Sequence, residues 1–438
     1  MTVQLVDDEF MVNQVDDINN RVFNGCRQLE RIRDLARYHR VGPMGFLLTS
    51  LAHLACQISP HIKVDVGKGP GSLNLFVTIV GPPGSEKSRT LQLAKNALYV
   101  DNPSAHYETR TPGSGEGIIA TYAPKTSWDE KTKQKTFEPG KQSVLWEESE
   151  VQNLAALKAR QGATLGPMLT KLFTAELLSV TNKDGGISVE SDSYRACLVL
   201  GTQPGRADAL LKESDQGFPQ RFIWVDTVDP SRTPRTDYPE VQPPLVHIPN
   251  YPNGVIQGCD TAKRTMMESS DRGLIQGEFN GLDSHAMFAR AKVAALLAVL
   301  RGHSVMEEDD WTRAGFIMSA SAAVRNKCVA YKQEAVQQAR EIKGKQDDAA
   351  ERRMIADIQD KIRKMMNGDK YQKIWVNLST IKNNMPGQRW RGEEFTIAIE
   401  RMVESGQLKT QAHPSRRRTV QYALPNVPNT VDQQKQAT

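Results

Sequence analysis

The segment GPPGSEKS (residues 81–88) sets a lysine and a hydroxyl residue at the end of a glycine-bearing turn. This is nearly the spacing G-x-x-x-x-G-K-[ST], in which successive backbone N–H groups cradle phosphates at the start of a helix. Gly81, Gly84, Ser85, Lys87, Ser88 and Arg89 are the candidate nucleotide contacts. Lys87 would reach the β- and γ-phosphates, and the Ser88 hydroxyl would hold Mg²⁺, so the expected cofactors are ATP and Mg²⁺. Glu86 breaks the pattern, standing where a second glycine is usual. It brings a Cβ to a place that uses glycine's conformational freedom. It also brings a carboxylate; facing a phosphate at about 4 Å, that would cost around 4 kcal/mol at an effective dielectric of about 20. Turned to solvent, it costs far less. A proline-glycine turn ahead of an ordinary helix is the plainer alternative.

Three further places could serve the same chemistry. The apolar strand SVLW ends in Glu147 and Glu148. In the Walker-B pattern such a strand lies beside the phosphate-loop strand, and Glu147 would help hold Mg²⁺ while Glu148 activates the attacking water. LVLGTQ brings Thr202 and Gln203 to another strand end, where either could touch the γ-phosphate and the lytic water. Arg221, in GFPQRFIW, precedes a further strand and could act in trans on a neighbouring subunit's nucleotide. Each has an ordinary counterpart: a solvated acidic strand end, a helix cap or turn, a salt-bridged surface arginine.

The elements that must position these residues follow from periodicity. Residues 14–60 read as helices, LNLFVTIV as a buried strand ending at Gly81, and RTLQLAKNAL as a helix. TPGSGEGIIATYA leads into a short helix, 127–142 reads as an exposed hairpin, and helices are expected over 151–160 and 166–176. Residues 177–190 read as two strands around a turn, followed by strands in 194–205 and 217–226. This alternation predicts an α/β fold: a parallel sheet flanked by helices. Prolines mark 227–256 as an extended linker. Helical patterns follow over 285–302 and 309–336, then a charged connector. From about 346 to 424, helix, helix, helix and hairpin follow in winged-helix order.

On GPPGSEKSRTLQLAK, TPGSGEGI, VLWEE, LVLGTQPG with ADALL, and GFPQRF, the chain resembles the AAA+ helicase domain of replication proteins from phages, plasmids and mobile elements. That domain is related to the superfamily-3 and MCM helicases and is often associated with a primase-polymerase. HAMFARAKVAALLAVLRG resembles its helical lid. The resemblance covers about residues 40–330. It implies a P-loop AAA+ core, a ring of subunits, expected to be a hexamer, and ATP-driven movement on single-stranded or forked DNA. It matches Arg221 to the arginine finger and Arg290 to a lid arginine on phosphate. No primase motif is legible, so priming would belong to a separate primase-polymerase. The implied organisation is an N-terminal helical segment (1–65), the P-loop core (66–230), linker and lid (231–345), connector helix and winged helix (346–424), and a disordered tail (425–438).

DNA contacts are expected at two places. The hairpin 177–190 has the tip TNKDGG, where Lys183 would meet the threaded strand or simply be solvated. In the winged helix, Lys382, Arg389, Arg391, Arg416, Arg417 and Arg418 would meet phosphates. Residues 368–424 hold ten Lys/Arg against five Asp/Glu, which accounts for the whole formal charge of +5 and points to a polyanion there. Such a module can also dock protein. The five cysteines show no C-x-x-C spacing, which argues against disulfides and zinc. No apolar run is long enough to cross a membrane. The acidic N-terminus lacks a signal peptide's basic start, so the expected location is the cytoplasm of a bacterial or phage-infected cell. The expected function is an ATP-dependent DNA helicase. The rival readings are a nucleotide-dependent initiator or loader with feeble turnover, and a transcriptional regulator with a defunct ATPase core.

Overall fold

The computed structural model describes residues 17–129, 133–182, 185–212, 217–234, 237–276, 285–387, 390, 392–416 and 419–429. By contact the chain forms two units, Met1–Gln333 and Glu334–Thr438. The expected N-terminal, core and linker segments fall in the first unit, together with most of the lid segment.

The first unit is built on a five-stranded sheet: β1 (Phe76–Val80), β2 (Tyr107–Arg110), β3 (Ser143–Glu148), β4 (Arg195–Thr202) and β5 (Phe222–Asp226). The spatial order is β5-β1-β4-β3-β2, and every neighbouring pair is parallel. β1 and β4 are buried along their whole length. That is why they read as mostly apolar runs: both faces of a parallel sheet are covered by crossover helices.

Helix α1 (Pro43–Gln57) packs on the sheet, and every residue from Pro43 to Cys56 is buried. Pro43 suits the first helical position because the N–H it lacks would have no partner there. The Thr49 and Ser50 hydroxyls donate back to the carbonyls of Gly45 and Phe46, so their burial leaves no hydroxyl unpaired. α2 (Lys87–Ala94) follows β1, α3 (Val151–Lys158) follows β3, and α4 (Leu165–Thr174) brings Phe173 edge-on to Phe76. The expected hairpins form as Lys125–Asp129 with Gln134–Glu138 and Leu178–Asn182 with Gly185–Val189. The tip residue Lys183 lies outside the described residues.

The proline-rich stretch is pinned to the core. Leu245–Val246 pairs with Tyr99–Val100, and Val255–Gln257 pairs with Lys63–Asp65. The Asn102 side chain brackets the Ile248 backbone, donating to its oxygen at 2.8 Å and accepting from its nitrogen at 2.7 Å. α5 (Ala286–Leu300) runs through the interior and carries a fully buried Lys292. Lys292 Nζ donates to the Asn74 and Phe173 carbonyls at 2.7 and 2.5 Å, and burial drives its pKa well down. α6 (Glu308–Met366) is 59 residues long.

In the second unit, Ile355, Ile358, Ile362 and Met366 form a buried stripe at helical spacing. They pack with Phe395, Ala398, Ile399 and Met402 of α8 (Glu393–Glu404), which follows α7 (Leu378–Asn383). Lys409–Ala412 and Val420–Ala423 form an antiparallel hairpin, and Val376–Asn377 joins its second strand. Val427 is buried, and the Trp375 indole donates to Pro428 O, so the chain stays packed past residue 424. Among the described residues no helix is long and apolar enough to cross a membrane.

Candidate functional site

β1, β3 and β4 end at the same edge of the sheet because all are parallel. From β1 the chain goes on to β2 at one edge; from β4 it goes on to β5 at the other. A crevice at such a reversal point is where open α/β sheets place ligands. A cleft of about 350 Å³ lies there, lined by residues 83–89, residues 149–152, Gly201, Gln203 and Arg206.

The loop over 81–86 forms one wall. Gly81 N donates to Thr202 O at 3.0 Å, tying the loop root to β4. A Cβ on Gly81 would fall 2.2 Å from Ser85 Oγ and 2.6 Å from Thr227 Oγ1, so a side chain there would force both hydroxyls to move. Glu86 sits at φ 62 and ψ 21, in the left-handed region. The glutamate therefore adopts the conformation that the motif's glycine supplies without strain, at a cost of about 1–2 kcal/mol. Its carbonyl starts α2 by accepting from the Thr90 amide and hydroxyl, both at 2.9 Å. Its side chain is exposed at the cleft.

Lys87 Nζ curls over the loop, donating to Gly81 O at 2.8 Å and Pro82 O at 2.7 Å. Burial lowers its pKa, and the nearby Glu150 carboxylate opposes that shift. Ser88 and Arg89 are exposed and line the cleft.

The two candidates at the end of β4 separate. Thr202 is fully buried, with its hydroxyl 2.7 Å from that of Thr78 inside the sheet. Gln203 lines the cleft.

The Glu147–Glu148 strand is not next to β1; β4 lies between them, and neither carboxylate lines the cleft. Strand alternation sends the two to opposite faces. Glu148 is buried, and its Oε1 accepts from Glu150 N at 3.0 Å and Asn153 Nδ2 at 3.1 Å, fastening it to the first turn of α3. Glu147 Oε1 lies 3.6 Å from His53 Nε2. Burial pushes the Glu147 carboxyl up to about 6 and the His53 imidazole down to about 4. At pH 7 the imidazole is therefore neutral, and the contact is polar rather than an ion pair.

Two arginines expected at phosphate lie elsewhere. Arg221 is buried; its Nη1 donates to Gly217 O, and its guanidinium is 6.0 Å from the Phe173 ring centroid. Arg290 donates to Trp311 O at 2.9 and 3.2 Å and stacks on the Trp311 ring. Conversely, Arg206, Glu150 and Gln152 line the cleft without having been singled out in the sequence. The signal for Arg206 was the turn-forming Pro204-Gly205 after a strand end, which keeps the next residue near that edge of the sheet.

In the second unit, Lys382 and Arg416 are exposed. Arg389, Arg391, Arg417 and Arg418 lie outside the described residues. The exposed positions of α8 carry Glu393, Glu400 and Glu404 beside a single basic residue, Arg401. Compared with known proteins, the chain matches no family model and no curated protein.

Proposed function

We propose that the cleft seats a magnesium-bound nucleoside triphosphate, and that the chain is an ATP-dependent, ring-forming DNA helicase of the P-loop AAA+ type. The observation that carries this reading is the backbone at Glu86. A glutamate held in a glycine conformation, directly ahead of Lys87 at the sheet's reversal point, marks a loop whose shape is kept at the expense of strain. Gly84, at φ 77, gives the same loop its other left-handed turn. The amides of such a loop and the N-terminus of α2 favour an anion.

Lys87 would trade the Gly81 and Pro82 carbonyls for phosphate oxygens, and Gln203 would hold the water or terminal phosphate from the β4 side. Ser88 is the hydroxyl available to magnesium, which when bound supplies charge neutralisation. Glu147, turned to His53, does not fit a ligand role here. Glu148 would serve as base only after leaving Asn153, and Arg221 would act in trans only after leaving Gly217.

The second unit supports a winged-helix reading by its element order. Its third helix, α8, presents three carboxylates against one arginine, Arg401, so contact with DNA would run through phosphates at Lys382, Arg416 and the neighbouring arginines rather than through α8 in a groove. The expected partners remain a homo-oligomeric ring and a separate primase-polymerase. Lys87→Ala and Glu148→Gln should each abolish DNA-stimulated ATP hydrolysis with the fold intact by circular dichroism. Full hydrolysis in both variants would refute the assignment.

The fastening of Glu148 to α3 favours a second reading: an initiator or loader that binds nucleotide to assemble and turns it over feebly. A forked-duplex assay separates the two. Strand separation supports the motor; nucleotide-dependent assembly without it supports the loader.

A further inference from the structure

We infer that Arg206 is the arginine that meets the terminal phosphate, from within the same chain, and that α6 holds it in place. The inference rests on the nucleotide reading of the cleft. A triphosphate seated on the 83–88 loop needs positive charge at the end that projects beyond the loop. Lys87, Ser88 and Arg89 all belong to the loop and its helix, so they approach from one side. The wall across the cleft comes from the segment after β4, the strand next to β1, and neighbouring strands lie about 4.8 Å apart. Among the described residues, the only cationic one lining that wall is Arg206. Its side chain is exposed and makes no ion pair among the described residues.

The two arginines matched by resemblance are already engaged, Arg221 with Gly217 and Phe173, and Arg290 with Trp311. Arg221 is buried and Arg290 half-buried where they stand, and both would lose packing on moving.

The turn that carries Arg206 is anchored. Arg206 N donates to Gln203 O at 2.8 Å, which closes the turn on the other cleft residue of the segment after β4. Two residues on, Asp208 pairs with Lys332 of α6 at 2.8 Å. One residue back, Gly205 lies so close to α6 that a Cβ there would stand 3.2 Å from Tyr331 Cε1. Arg206 is therefore held between two contacts with the same helix. Lys332 is a positioning residue: it reaches the cleft only through Asp208.

Displacement of a fluorescent nucleotide from the full chain, by Mg·ADP and by the non-hydrolysable Mg·AMP-PNP, tests this. Arg206→Ala should weaken AMP-PNP about tenfold or more and ADP by less than about threefold. Where hydrolysis is measurable, turnover should fall about 10²-fold, the loss typical of one transition-state donor. Arg206→Lys should recover part of the AMP-PNP loss. Lys332→Ala should shift the same ratio by about threefold, and Lys332→Arg should restore it. An Arg206→Ala chain that keeps its preference for the triphosphate, or that loses both nucleotides equally, overturns the inference while leaving the cleft reading intact. A wild-type chain that binds neither nucleotide overturns both.

Discussion

The loop after β1 and the acidic end of β3 lie at the same edge of one sheet, and each departs by one residue from a familiar pattern. Their outcomes differ. At Glu86 the side chain is foreign, yet the backbone keeps glycine's φ. At Glu147 and Glu148 the carboxyls are nearly the usual chemistry, yet neighbours take them away: His53 from α1 and Asn153 from α3. A shape set by the backbone survives substitution at a modest cost in strain. A function written in a side chain depends on what else packs within its reach.

That contrast is open to test, starting with the largest expected effect. Lys87→Ala should lower triphosphate affinity at least about a hundredfold, because it removes a charge-assisted contact at about 3 Å inside a partly buried cleft. Displacement of a fluorescent nucleotide would read it. A change under threefold would mean that the loop's shape serves something other than phosphate.

Glu86→Gly should act in the opposite sense. Removing an exposed carboxylate at the cleft should raise triphosphate affinity about tenfold at low salt, with the gain shrinking as salt screens it. Stability should change little, since relief of about 1–2 kcal/mol of left-handed strain is partly offset by glycine's greater unfolded freedom. Affinity that falls instead would show that Glu86 contributes a favourable contact.

Glu147→Gln sharpens the other half of the comparison through pH. Burial raises the Glu147 carboxyl to about 6 in the fold, so the folded state holds its proton more tightly than the unfolded chain. That contribution favours folding below the unfolded value and is lost as pH rises through about 6. Glu147→Gln should therefore be more stable than wild type at pH 7.5 by about 1–2 kcal/mol, and the gap should close near pH 4.5. His53, held down to about 4 by burial, acts in the reverse sense, destabilising the fold as pH falls from about 6.5. Urea melts at the two pH values would read it; a gap independent of pH would mean Glu147 is not desolvated by α1.

What was legible in the sequence follows the same division. FVTIV, SVLW and ACLVLG announced buried parallel strands because both faces are covered, so no charged residue interrupts them. The Gly81–Ser88 turn was legible because its backbone needs are local. The fate of Arg221 was not, since Phe173 comes from a helix far away in sequence. Nor was the pinning of the proline-rich stretch, because Leu245 and Val255 find partners near Tyr99 and Lys63. The position of β4 between β1 and β3 was also hidden: strand order is set by crossovers, and the pattern of a strand does not name its neighbour. Asn153 lies only five residues past Glu148, but the pattern of an acidic strand end does not say which side chain of the following helix turns back onto it.

The most direct measurement is titration calorimetry of ATP with magnesium into the full chain, run beside Lys87→Ala. A saturable one-site isotherm for wild type, lost in the variant, is the predicted result. Equal heats in both, or none in either, would contradict the claim that the strained loop before Lys87 is a seat for a triphosphate.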